Sequence, residues 1–135
     1  MTQNSKEINF QKLKEFQGHK LVFDLSKSSS LKGFIVIHND NLGPALGGTR
    51  IVSYQNSEEA LQDALRLSYA MTYKCAIAGL PFGGGKAVIM EDPTLSHHEL
   101  LKEYANQVNQ LKGKFYTGED VGLQEADVQY MLKFS

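Results

Sequence analysis

Gly43-Pro44-Ala45-Leu46-Gly47-Gly48-Thr49-Arg50 opens the stretch, Leu42 to Met90, around which the chain is organised. An amphipathic run follows and ends in Met71-Thr72-Tyr73-Lys74; the stretch then closes on Gly79-Leu80-Pro81-Phe82-Gly83-Gly84-Gly85-Lys86 and Ala87-Val88-Ile89-Met90. Asn56 to Ala70 reads as a helix: Asn56 and Glu59 form a capping pair, and Leu61, Ala64, Leu65, Ser68 and Met71 form one apolar stripe. Thr72 to Ile77 reads as a second short helix that places Lys74 about one turn beyond Met71. The glycine-dense runs on either side read as turns, with Lys86 at the exit of the second and a short strand, Ala87 to Met90, directly after it.

Outward from this stretch, strands and helices alternate. Thr49 to Tyr54 predicts a strand through Ile51 and Val52. Before it, Lys20 to Leu25 places Leu21, Phe23 and Leu25 on one face, and Lys32 to Asn39 contains the β-branched run of a central strand, Phe34-Ile35-Val36-Ile37. Their short connection predicts an antiparallel pair. Ile8, Phe10, Leu13 and Phe16 predict a short amphipathic helix over Glu7 to Gln17. On the other side, Ser96-His97-His98-Glu99 is a capping box opening a helix to about Leu111, with Leu101, Tyr104, Ala105 and Val108 apolar. Lys114 to Thr117 predicts a last strand, delivering Thr117-Gly118-Glu119-Asp120-Val121-Gly122 to a sheet edge, and Gln124 to Phe134 predicts a helix. The sum is an α/β domain with a mixed β-sheet layered with helices. The last helix meets Ser135 without a cap, so residues 1–135 are expected to be one domain and a fragment of a longer protein.

Composition narrows the function classes. The hydrophobic share of 41% and charged share of 21% are those of a soluble globular domain, and a net charge of -1 provides no electrostatic case for nucleic acid or a membrane surface. No apolar run reaches spanning length and no apolar signal core opens the chain, so a cytoplasmic location is expected. The single Cys75 excludes an internal disulfide. Next to Lys74 it reads as a buried, inert residue rather than an activated thiol.

Motif chemistry is decided mostly by elimination. Gly83-Gly84-Gly85-Lys86 is not a phosphate-binding P-loop, because Leu80 stands where that motif needs glycine and Ala87 where it needs Ser or Thr. No Gly-x-Gly-x-x-Gly dinucleotide fingerprint occurs. His19, His38, His97 and His98 are scattered, without a metal-ligand spacing, so no metal is expected. Lysine chemistry remains. A lysine in a dry, glycine-walled cleft near a second cation can serve as a general base, the second lysine can pair with a substrate carboxylate, and Asp120 can relay protons. Solvated surface lysines beside ordinary turns are the plain alternative.

These motifs resemble, in order and spacing from about Leu21 to Gly122, the N-terminal substrate-binding and oligomerisation domain of the glutamate/leucine/phenylalanine/valine dehydrogenase family. The likeness is strongest to leucine and phenylalanine dehydrogenases. It implies reversible oxidative deamination of an L-amino acid to its 2-oxo acid and ammonia. By the resemblance Lys86 is the catalytic lysine that activates water for attack on the iminium, and Asp120 is the catalytic aspartate. Lys74, supported by Gly47 and Gly48, binds the substrate carboxylate, and Met71 lines the same site. The cofactor implied is NAD or NADP, held mainly by a Rossmann domain absent from this chain. A homo-oligomer is implied as well, with the early strand pair as the place for a symmetric interface.

Side-chain preference is read from two positions. Leu46 stands where glutamate-specific relatives carry a lysine, so an apolar substrate is expected, with leucine or valine favoured. Gly118 stands where leucine enzymes tend to have alanine and phenylalanine enzymes glycine, which keeps phenylalanine or tryptophan as the alternative. A stand-alone assembly or small-carboxylate-binding domain without hydride chemistry is the competing class, and a phosphate-binding module a third.

Overall fold

A computed structural model describes residues 18–134. The helix expected over Glu7 to Gln17 lies outside them. Among these residues six strands form one mixed sheet: β1 (Leu21–Asp24), β2 (Gly33–Asn39), β3 (Ala45–Leu46), β4 (Thr49–Val52), β5 (Gly83–Met90) and β6 (Phe115–Tyr116). Among the described residues three α-helices cover it: α1 (Ser57–Ile77), α2 (His97–Asn109) and α3 (Glu125–Met131), the last running into a 3-10 turn, Leu132–Phe134. The strand order is β1-β2-β5-β3-β6, with β4 also on β5. The expected antiparallel pair is present, Leu21 facing Ile37 and Asp24 facing Phe34, and β2 runs antiparallel to β5 on its other side. β3, β4 and β6 add parallel pairings.

Alternation along the two central strands builds two cores. Phe34, Val36 and Val88 pack with Ala60, Leu61, Ala64 and Leu65 of α1. Ile35, Ile37, Ala87 and Ile89 face the other way, onto Leu101, Tyr104 and Ala105 of α2, with Phe115 and Met131. The sheet is therefore sandwiched, α1 on one face and α2 with α3 on the other. β2 and β5 are buried on both faces, which is why they read as continuous apolar or small-residue runs rather than alternating ones.

Three expectations are corrected. Gly83-Gly84-Gly85 is not a turn but the start of an eight-residue strand, and Lys86 lies inside that strand. Glycine is required there by crowding from both faces: a Cβ on Gly83 would lie 1.9 Å from the Asn39 carbonyl oxygen, and one on Gly84 would lie 2.1 Å from the Thr72 backbone nitrogen. Thr72 to Ile77 is not a separate helix; it continues α1 without a break, since the segment contains neither glycine nor proline. Ala45-Leu46, within the first glycine run, is a strand paired on both sides. β3 and β4 keep one register along β5, Leu46 beside Gly84 and Thr49 beside Ala87, with Gly47 and Gly48 between them. A Cβ on Gly47 would sit 1.7 Å from the Gly85 carbonyl oxygen, so only glycine lets these two backbones pass.

The caps are as the sequence predicts. Asn56 accepts from the Glu59 N–H at the start of α1, and Ser96 and Glu99 form the reciprocal capping box of α2. His97 and His98 do more than occupy an exposed turn. His97 Nε2 bonds Asp127 Oδ1 at 2.9 Å, and the His98 ring stacks on Tyr130 at 4.2 Å, so both tie α2 to α3.

Candidate active site

Strand period places Lys86 on the α1 face of β5, in line with Gly84 and Val88. It is 6% exposed, and its ammonium donates to Asp120 Oδ2. Asp120 comes from the loop after β6, and β4 holds that loop in place. Thr49 N–H donates to the Gly118 carbonyl at 3.0 Å and Ile51 N–H to the Val121 carbonyl at 2.8 Å. Asp120 and Leu123 exchange backbone hydrogen bonds, closing the loop on itself. Gly122 makes that closure possible. Its φ is +82°, and a Cβ there would lie 2.1 Å from the Ile51 carbonyl oxygen. Behind the loop, Thr49 Oγ1 meets Tyr104 Oη and Thr117 Oγ1 at 2.5 Å each, a hydroxyl cluster that braces β4 against α2 and β6.

Gly48 forms the floor beneath the carboxylate. A Cβ on it would be 2.8 Å from the Glu119 carbonyl oxygen and 3.1 Å from Asp120 Cβ. Burial alone would raise the Asp120 carboxyl pKa. The Lys86 hydrogen bond, the Val121 N–H at 2.7 Å, and the charges of Lys86 and Arg50 outweigh burial and hold it below the usual carboxylate value. The charge that Lys86 meets is thus a carboxylate rather than a second lysine.

The remaining expected residues divide. Leu46 and Gly118 are partly exposed, Leu46 on β3 and Gly118 two residues after β6; beyond Gly118 Cα there is open space, with no atom within 4 Å of a Cβ built there. Met71 is half-buried on α1, one residue before the Thr72 that presses on Gly84. Lys74 is exposed on the last turns of α1, beside Tyr69, Tyr73 and Ile77, and makes no ion pair or side-chain hydrogen bond among the described residues. The structure therefore brings together Lys86, Asp120 and Gly48, and leaves Lys74 exposed near the end of α1. Cys75 is buried, and burial raises its thiol pKa more than neighbouring Lys74 lowers it.

Sequence reading assigned no role to Arg50, Asp63 or Tyr54. Arg50 Nη2 lies 3.6 Å from Asp120 Oδ1 and its Nη1 lies 3.4 Å from Asp63 Oδ2, an oxygen that also accepts from Tyr54 Oη at 2.5 Å. The available signal was an arginine alternating with the buried Thr49 and Ile51 on a strand. A dinucleotide cofactor does not fit these residues: the space over Gly83, Gly84 and Gly85 is filled by Asn39, Thr72 and Phe115, which leaves no cradle for a phosphate.

Comparison with known proteins shows the family of the chain. Residues 17–134 match the model of the Glu/Leu/Phe/Val dehydrogenase dimerisation domain. L-tryptophan dehydrogenase of Nostoc punctiforme is 46% identical over 120 residues, covering 89% of this chain and 34% of that protein. Phenylalanine dehydrogenase of Lysinibacillus sphaericus is 46% identical over 92% of this chain and 32% of its own length, and leucine dehydrogenase of Bacillus subtilis 44% over 88% and 33%. The crystal structure of the Nostoc punctiforme tryptophan enzyme superimposes with a TM-score of 0.83 at 45% identity, covering 93% of this chain and 38% of that one. The chain spans about a third of the length of the curated relatives it matches. With a match over nearly every residue and relatives on the same fold, the chain belongs to the Glu/Leu/Phe/Val dehydrogenase family, in its dimerisation domain.

Proposed function

We propose that residues 1–135 are the substrate-binding, catalytic and oligomerisation domain of a longer enzyme, one that oxidatively deaminates an apolar L-amino acid to the 2-oxo acid and ammonia. The observation that carries the reading is the ion pair of buried Lys86 with part-buried Asp120, closed over Gly48. A carboxylate kept ionised by two cations can accept from a substrate α-ammonium group and take up its proton. Once a hydride acceptor has taken the α-hydrogen, water would add to the resulting iminium carbon while Lys86, its own proton lost to solvent, accepts the water's proton; the carbinolamine would then expel ammonia with the proton held on Asp120, leaving the 2-oxo acid. Lys74, an exposed ammonium near the end of α1, supplies the point charge for the substrate carboxylate, with the backbone at Gly47 and Gly48 supporting it. NAD or NADP is proposed as the hydride acceptor, bound mainly by a domain outside these residues.

Leu46 supports an apolar side chain on the substrate, since it offers a distal carboxylate no counter-charge. The open space beyond Gly118 supports a second reading within that class, an aromatic amino acid in place of leucine or valine. A homo-oligomer is proposed too. β1 ends the sheet among the described residues, so its outer edge is available for symmetric pairing.

The test is nucleotide reduction by the full-length gene product with leucine, valine, phenylalanine, tryptophan and glutamate, each against NAD and NADP. Turnover with an apolar amino acid is expected, falling by about 10²–10⁴ in Lys86→Ala. A folded Lys86→Ala enzyme with undiminished turnover removes the catalytic assignment, and a folded wild type inert toward every substrate favours an assembly or carboxylate-binding domain.

A further inference from the structure

We propose that Arg50 is a positioning residue for Asp120, its guanidinium spanning from Asp63 on α1 to the second Asp120 oxygen while Lys86 holds the first. The inference rests on the reading of Asp120 as the proton relay. Asp120 is met from three sides: Lys86 from β5, Arg50 from β4, and the Val121 N–H from its own loop. Arg50 is in turn held by Asp63, which Tyr54 Oη and Arg66 also engage, so the chain of charge runs Arg66–Asp63–Arg50–Asp120–Lys86 across α1, β4 and β5. Of its members only Arg66 is well exposed.

The shape of the arginine side chain is what the arrangement uses. Its two terminal nitrogens face different carboxylates, while Nε is buried without a hydrogen-bond partner. Burying that N–H unpaired is unfavourable, so both carboxylates are needed to keep the side chain in place. A lysine would bring the charge but only one point of contact, and could not bridge two carboxylates in the same way. Without Arg50, Asp120 would keep Lys86 on Oδ2 and the Val121 N–H on Oδ1 but lose the second positive charge facing Oδ1. With Arg50, the carboxylate is clamped, ionised, and oriented over Gly48.

The experiment follows the Asp120 carboxyl carbon by NMR in the 135-residue chain from pH 6 downward, which requires no turnover. In Arg50→Gln the midpoint is expected to rise by about half a pH unit or more, and Arg50→Lys is expected to recover part of that rise. In wild type, the Arg50 Nε–Hε resonance is expected to titrate with the Asp120 midpoint, a readout that stands even where the glutamine variant fails to fold. An unmoved midpoint in folded Arg50→Gln, or a flat Arg50 trace through the wild-type titration, overturns the proposal. In the full-length enzyme the acidic limb of kcat/KM is expected to move with the NMR midpoint. A limb that stays put while the midpoint moves leaves the clamp intact and removes Asp120 from the proton relay.

Discussion

Gly84→Ala is the most informative single perturbation of this fold, because it acts where the site helix meets the site strand. A Cβ on Gly84 would lie 2.1 Å from the Thr72 backbone nitrogen, 2.3 Å from its Oγ1 and 2.5 Å from its Cα. Ordinary contact begins at 3.4 Å, so α1 must retreat from β5 by about 1.3 Å locally. No rotamer change relieves this, since two of the three atoms are backbone. The retreat opens the layer in which Leu61, Ala64 and Leu65 pack on Val36 and Val88. It also strains the hydrogen bond between His38 Nδ1 and Thr72 Oγ1, 2.7 Å long. Overpacking of this kind costs about 1–3 kcal/mol. With backbone as the obstacle the upper end is expected, which corresponds to a fall in Tm of roughly 10–15 °C for a domain of this size. The assay is urea unfolding followed by circular dichroism, with Gly118→Ala as control. Nothing lies within 4 Å of the Gly118 Cβ and its φ is not positive, so the control is expected to stay within about 0.5 kcal/mol of wild type. A Gly84→Ala protein less than about 1 kcal/mol below wild type would refute the argument that α1 and β5 touch through their backbones.

Two further outcomes follow from the same geometry. Burial, and then neighbouring His19, lower the His38 pKa below its ordinary 6.5; the ring faces Thr72 and Tyr69 of α1 as well as His19. The unfolded chain therefore takes up this proton at higher pH than the folded one, so the stabilisation is complete above pH 6.5 and is lost as pH falls through the folded value. Unfolding free energy is expected to drop between about pH 7.5 and 5.5, and the drop to shrink in His38→Gln; an unchanged pH dependence in the variant would reject the assignment. In the full-length enzyme, Gly118→Ala is expected to reduce kcat/KM for aromatic relative to branched-chain amino acids by roughly 10-fold or more, the worth of one methyl in a filled pocket. Equal effects on both substrate types would show that this position does not line the side-chain pocket.

The chain by itself determined the layered α/β class, the antiparallel β1–β2 pair and the caps of α1 and α2. These are local matters: period, capping chemistry and turn residues act within a few positions of one another. Lys86 and Asp120 were both legible because each is polar among small or glycine residues. What they do to each other was not, since 34 residues separate them and their pairing depends on β4 holding the Asp120 loop against the sheet. The role of Gly83-Gly84-Gly85 was also closed to sequence reading. A triple glycine marks either a turn or a strand with no room on its faces, and only the positions of Asn39, Thr72 and Phe115 choose between them. Arg50 carries the same lesson: an arginine on a strand is ordinary until tertiary packing buries its Nε and sets a carboxylate against each terminal nitrogen. Local chemistry supplied the polar groups, and long-range packing, which decides what each buried charge must face, brought Lys86 and Asp120 together as a candidate site.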